Sequence, residues 1–105
     1  MSKVDVFVRH DAELDAFDYF QRIYEGNPGA ALRFLEALDP TVEGVIRQPF
    51  KGRMRKFSGR DLHNIRSGRV DDFENYLIFY RFAEDRLEIL RVRHGAMDFP
   101  KALRR

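Results

Sequence analysis

The chain has 105 residues, 44% apolar and 34% charged, with a formal net charge of +2. That size fits one domain spanning residues 1–105, long enough to bury one real core. With no cysteine it has no disulfide, no thiol nucleophile and no thiolate metal site. No apolar run approaches ~18 residues, which excludes a membrane-spanning helix. The opening Met1-Ser-Lys-Val-Asp-Val6 lacks a signal-peptide layout, so a cytoplasmic protein is expected.

Val4, Val6 and Val8 alternate with Asp5 and Phe7, which predicts a short first strand that pairs with a distant partner. Asp11 is placed to cap a helix running to about Glu25. Its apolar stripe is Leu14, Phe17, Phe20 and Tyr24, at spacings of three and four. Asp11, Glu13, Asp15 and Asp18 favour the positive end of that helix. Gly26-Asn27-Pro28-Gly29 breaks it. A second helix starts at about Pro28, with Ala31, Phe34, Leu35, Leu38, Val42, Val45 and Ile46 on one side. The short break makes the two a hairpin, and the apolar residues of both are expected in the core. Pro40 costs about 3 kcal/mol inside a helix, so a kink is expected there, or a fresh segment capped by Asp39.

Residues 50–60 read as a basic loop, Leu62–Arg66 as a strand and Ser67–Asn75 as a polar loop. Tyr76–Phe82 and Leu87–His94 then form a β-hairpin about the two-residue turn Glu84-Asp85. The implied pairs are Phe82 with Leu87, Tyr80 with Ile89, Ile78 with Arg91 and Tyr76 with Arg93. The other face carries Leu77, Phe79, Leu90 and Val92, with Arg81 opposite Glu88, and is expected to pack under the helices. Asp98-Phe-Pro100 suggests a last helical turn. The fold expected is α+β: a two-helix hairpin packed on one face of a small, mostly antiparallel sheet, in the order β-α-α-β-β-β.

Charge is segregated along this order. Residues 1–49 hold five Lys/Arg and nine Asp/Glu, whereas residues 50–105 hold fourteen and eight. Between positions 51 and 69 lie seven basic residues against Asp61 alone. Such a split either complements the acidic helices or meets an anionic partner. The mixed face of the hairpin, with its tyrosines and arginines, suits an interface. The partner-binding candidates are therefore Tyr76, Tyr80, Arg91 and Arg93, with Lys51, Arg53, Arg55 and Lys56 in the basic loop. A disordered acidic segment that folds on binding would fit them.

Several words of the sequence, in order, carry a resemblance. They are Asn27-Pro28 with Ala30-Ala-Leu-Arg-Phe-Leu35; Pro49 with Gly52-Arg53; Leu62 with Arg66-Ser67; Asn75-Tyr-Leu-Ile-Phe-Tyr-Arg81; and Glu88-Ile-Leu-Arg-Val92 with His94-Gly-Ala96 and Asp98. Together they resemble ParE-like toxins of the RelE/ParE toxin–antitoxin superfamily. The resemblance implies the toxin of a type II system. Such a toxin would inhibit DNA gyrase by protein contact and be neutralised by a ParD-like antitoxin with an acidic C-terminal segment. Met97 stands where the family commonly has arginine, which bears on potency.

A RelE-like, ribosome-dependent mRNA endoribonuclease is the alternative, and a non-toxic member that retains only antitoxin binding is a third reading. RNA cleavage needs a base, an acid and cations around a phosphate. Arg91, Arg93, Tyr80 and His94 would be the residues to supply them. No metal or cofactor is expected: the three histidines lie far apart and no glycine-rich phosphate loop is present. Asp71, Asp72 and Glu74 read as a solvated acidic loop. No helix with a basic recognition face is visible, so sequence-specific DNA binding is not expected.

Overall fold

A computed structural model describes residues 3–57 and 62–95. The expected turn at Asp98–Pro100, and Met97 with it, lie outside the described residues. The elements are β1 (Asp5–Val8), α1 (His10–Gly26), α2 (Pro28–Arg47), β2 (Arg53–Arg55), β3 (Ile65–Val70), β4 (Phe73–Ala83) and β5 (Arg86–His94). The strands form one sheet in the order β1-β5-β4-β3-β2. Only β1 runs parallel to its neighbour, Asp5 to Val8 pairing with Arg86 to Ile89. The expected order of elements holds, with a three-residue edge strand, β2, inside what reads in sequence as a loop.

The β4–β5 turn is the two residues expected. Ala83 pairs with Arg86, and Glu84 and Asp85 have φ of 53° and 61°. Positive φ at both central positions marks a type I′ turn, whose twist matches that of the flanking strands. The expected register holds from there to Tyr80–Ile89 and then fails. Leu90 is an extra residue, so Phe79 pairs with Arg91, Ile78 with Val92, Leu77 with Arg93 and Tyr76 with His94. A β-bulge of this kind shifts everything beyond it by one and alters which side chains share a face.

The β3–β4 hairpin takes in the segment expected as a polar loop. Ile65–Val70 is strand, and Val70 pairs with Phe73 across Asp71-Asp72. Polarity hid it: Ser67 is 4% exposed, but its hydroxyl accepts the Nε–H of Arg55 at 2.8 Å, so it is buried with a partner.

Both sheet faces are covered, and the expected assignment of faces is reversed for Leu77, Phe79 and Leu90 but holds for Val92. The helices lie over Ile78, Tyr80, Leu87, Ile89 and Val92, with Tyr76 and Phe82 packed against them. Tyr19 meets the Tyr76 ring edge-on at 5.1 Å, and Phe34 meets it tilted at 4.9 Å. Phe79, Leu90 and Leu77 point the other way into a second, smaller core with Ile65, Leu62 and Phe57.

α1 starts without a side-chain cap, so Asp11 lies in the first turn rather than at the cap. Asn27 links the helices: its Oδ1 accepts the amide of Ala30 at 3.0 Å, and Pro28 occupies the first position of α2. α2 continues through Pro40 as one element. Thr41, one residue on, donates to the carbonyl of Ala37 at 2.7 Å and accepts the amide of Asp71 at 2.9 Å. That pair of bonds fixes α2 against the β3–β4 turn. No helix of the described residues is long and apolar enough to cross a membrane.

Candidate protein-interaction site

β1 pairs with β5 only as far as Ile89, which, among the described residues, leaves the edge of β5 from Leu90 onward without a strand neighbour on that side. α1 covers the gap. Asp15 accepts the backbone amide of Val92 at 3.0 Å, and the Tyr19 hydroxyl accepts that of His94 at 3.1 Å. The Asp15 carboxylate also grips Arg91 through two bonds, from Nε at 2.7 Å and Nη2 at 2.9 Å, and Arg93 reaches it at 3.4 Å. The side chains of Asp15, Arg91 and Arg93 are 9%, 11% and 17% exposed. The Asp15 hydrogen bond outweighs burial and holds the Arg91 guanidinium above the ordinary arginine pKa.

This arrangement corrects the expectation of an open aromatic–arginine face. Arg91 and Arg93 are occupied by an internal carboxylate. Tyr80 is 1% exposed, and its hydroxyl donates to the carbonyl of Pro49 at 2.9 Å. Burial raises the pKa of Tyr80 and of Tyr76. Tyr76 is half-buried between Phe34, Tyr19 and the ring of His94, 4.7 Å away. His94 is exposed. Arg91, Arg93, Tyr80 and His94 therefore do not converge as a solvent-facing set around a phosphate. Among the described residues no group of His, Cys, Asp or Glu is arranged to hold a metal ion.

Lys51, Arg53 and Lys56 are exposed and Arg55 is half-buried, so the basic segment does form a surface. Arg55 lies over the Phe79 ring at 5.5 Å, and burial lowers its pKa, with Arg53 adding to the shift. The stretch before β2 is pinned from beneath. Tyr80 holds Pro49, and Arg66 donates to the carbonyls of Phe50 and Gly52 at 3.1 and 2.9 Å. Gly52 sits so close that an added Cβ would run into the Tyr80 hydroxyl and lie 2.9 Å from the carbonyl of Ser67. Gly52→Ala is expected to destabilise the fold by about 1–3 kcal/mol, the usual cost of overpacking. Urea unfolding would show this, and an unchanged midpoint would mean that the loop yields freely.

The largest departure from expectation lies on the outer side of the helices. The buried positions of α1 are Ala12, Asp15 and Tyr19. Leu14, Phe17 and Tyr24 are 52%, 58% and 50% exposed. On α2, Leu32 and Leu35 are 54% and 40% exposed, although Ala31, Phe34 and Ala37 are buried as a core stripe should be. Burying a large apolar side chain contributes about 1.5–3 kcal/mol, so a hairpin that leaves five in water forgoes a large contribution to folding. Large apolar side chains left exposed on these helices are the kind of feature that marks an interaction surface. The flanking residues are acidic, since residues 10–47 carry eight Asp/Glu against three arginines. Sequence reasoning placed the α1 stripe in the core because nothing local reveals that Asp15 has two arginines waiting on β5.

The family model for the ParE toxin of type II toxin–antitoxin system, parDE, matches residues 6–99. Among solved structures, one titled chromosomal ParDE TA system from P. aeruginosa has a TM-score of 0.70 at 14% identity, covering 89% of this chain and 97% of that one. A second, the YoeB/ParE toxin from Agrobacterium tumefaciens, has a TM-score of 0.55 at 18% identity, covering 89% and 100%. At such identities these two likenesses establish the fold alone. No curated protein sequence matches the chain. The family match spans nearly the whole domain and agrees with the helix hairpin on a five-stranded sheet: the chain belongs to the ParE toxin family of type II toxin–antitoxin systems.

Proposed function

We propose that this toxin acts by protein contact, inhibiting DNA gyrase, and that an antitoxin encoded beside it neutralises it by covering the outer face of the helix hairpin. The observation that carries this reading is the exposed stripe of Leu14, Phe17 and Tyr24, joined by Leu32 and Leu35 on α2. Such a stripe suits an amphipathic helix laid on a groove. The acid-rich helices favour a segment with lysine or arginine beside its apolar anchors, so the acidic segment expected from sequence suits this face poorly. Tyr76, Tyr80, Arg91 and Arg93 support the interface from within rather than touching the partner. The ribonuclease alternative draws no support from the geometry, because its arginines are held by Asp15 and its tyrosine lies under the helices.

The test is induction in a sensitive host, with gyrase supercoiling and translation scored side by side, with and without the adjacent antitoxin. Relaxed DNA and filamentation with intact translation, both reversed by the antitoxin, are expected. Codon-linked cuts in mRNA with normal supercoiling would replace this reading by the ribonuclease one. Normal growth with a tight antitoxin complex would mark a non-toxic member.

A further inference from the structure

A second surface lies at the far end of the sheet from β1. Between the C-terminal end of α2 and the strands β2 and β3 is an open cleft of about 650 Å³. Arg47, Lys51, Arg53 and Arg69 line it, against Asp71 as the one carboxylate among its lining residues. Arg47, Lys51 and Arg53 form no ion pair among the described residues. Arg69 meets Glu74 at 3.8 Å with both side chains more than two-thirds exposed, a pair of little strength. The floor is fixed by the bonds from Tyr80 and Arg66 to the 49–52 segment, so Lys51 and Arg53 are carried on a rigid support. Gly68 leaves the wall low, with nothing within 4 Å of an added Cβ.

We infer that this cleft binds the phosphate groups of a double-stranded nucleic-acid backbone, without reading sequence. Three guanidinium forks and an ammonium suit phosphate oxygens. An acidic peptide would want apolar anchors as well, and Val45 is the only aliphatic side chain here apart from lysine and arginine stems. A single strand would want exposed rings to stack on, and the one ring in the lining, Tyr80, is buried. Backbone phosphate is the ligand left, and it requires no base contact.

The test is fluorescence anisotropy of the full chain with a labelled 20-base-pair DNA duplex, its single strand and a poly-glutamate peptide, across a salt series. The quadruple variant Arg47→Gln, Lys51→Gln, Arg53→Gln, Arg69→Gln is compared with Lys3→Gln, Arg22→Gln, Arg33→Gln, Arg86→Gln, which removes the same charge elsewhere. The cleft variant is expected to lose roughly tenfold or more in duplex affinity, and its salt slope should fall by about 3.6, or about 0.9 for each of four phosphate contacts. The control variant should bind like the wild type. A second measurement needs no variant: titrating duplex into the wild type should shift the amide resonances of Gly44, Gly52 and Gly68 before others. Equal losses in both variants would reduce the effect to net charge and overturn the inference. Absence of duplex binding by the wild type at low salt would overturn it too. Tighter, cleft-dependent binding of poly-glutamate would assign the cleft to an acidic protein segment instead.

Discussion

Asp15→Ala should be the most damaging single substitution in this chain, costing about 3–5 kcal/mol. The carboxylate holds Arg91 by two bonds, reaches Arg93 and accepts the amide of Val92 where β5 has lost its strand neighbour. Removing it takes from two largely buried guanidinium groups the carboxylate that both of them hold, which is the expensive way to break a buried ion pair. The Nε of Arg93 already lacks a partner among the described residues, so little spare capacity exists to absorb the loss. A domain of this size has about 5–15 kcal/mol in total, so the loss would lower the melting temperature by on the order of 20 °C. The triple variant Asp15→Ala, Arg91→Met, Arg93→Met separates charge from packing. It should recover most of the stability, because apolar groups of similar volume can replace a buried pair. A single variant that melts within a few degrees of the wild type would show that water reaches this triad and that α1 is held by its apolar contacts alone.

The same triad explains where the sequence was legible and where it was not. The hairpin turn at Glu84-Asp85, the break at Asn27-Pro28 and the element order follow from local chemistry: alternation, a side-chain cap and positive φ at two adjacent residues. Such signals need no knowledge of the rest of the chain. The bulge at Leu90 has no local signal, because Ile89-Leu90-Arg91-Val92 alternates no better with the bulge than without it. Once it is missed, Val92 is grouped with Phe79 and Leu90, which lie on the opposite side, and the arginines look free. The inversion of α1 is its counterpart. A helix whose buried line is Ala12, Asp15 and Tyr19 looks, by periodicity, as though Leu14, Phe17 and Tyr24 faced inward. Only the pairing of a helix carboxylate with two arginines on a strand some 76 residues later reveals the true orientation. The basic surface was legible because charge clustering survives any error in register. Its division into a pinned floor and a cleft was not, since that depends on Tyr80 reaching Pro49 across the sheet.

Substituting the outer stripe should separate binding from folding. Phe17→Ser with Tyr24→Ser is expected to weaken the antitoxin complex at least 100-fold while leaving stability within about 0.5 kcal/mol of the wild type. Each ring is half or more exposed in the isolated chain, so folding derives little from either. A partner helix that buries both would lose about 2 kcal/mol or more per anchor, and 1.4 kcal/mol is one factor of ten. Titration calorimetry with the purified antitoxin measures the first quantity and urea unfolding the second. Met54→Ser, a substitution of another exposed apolar residue on the far edge strand, should change neither. If the double variant unfolds, the stripe belongs to the core of some larger assembly of this chain. If it binds the antitoxin as tightly as the wild type, the helices are not the docking face, and the search moves to β1, where Val6, Phe7 and Val8 are 40–47% exposed on a strand that is at the sheet edge among the described residues. An edge of that kind invites a partner to add a strand, whereas the α1 stripe invites a helix. The antitoxin's own secondary structure in the complex therefore distinguishes the two faces independently of any substitution.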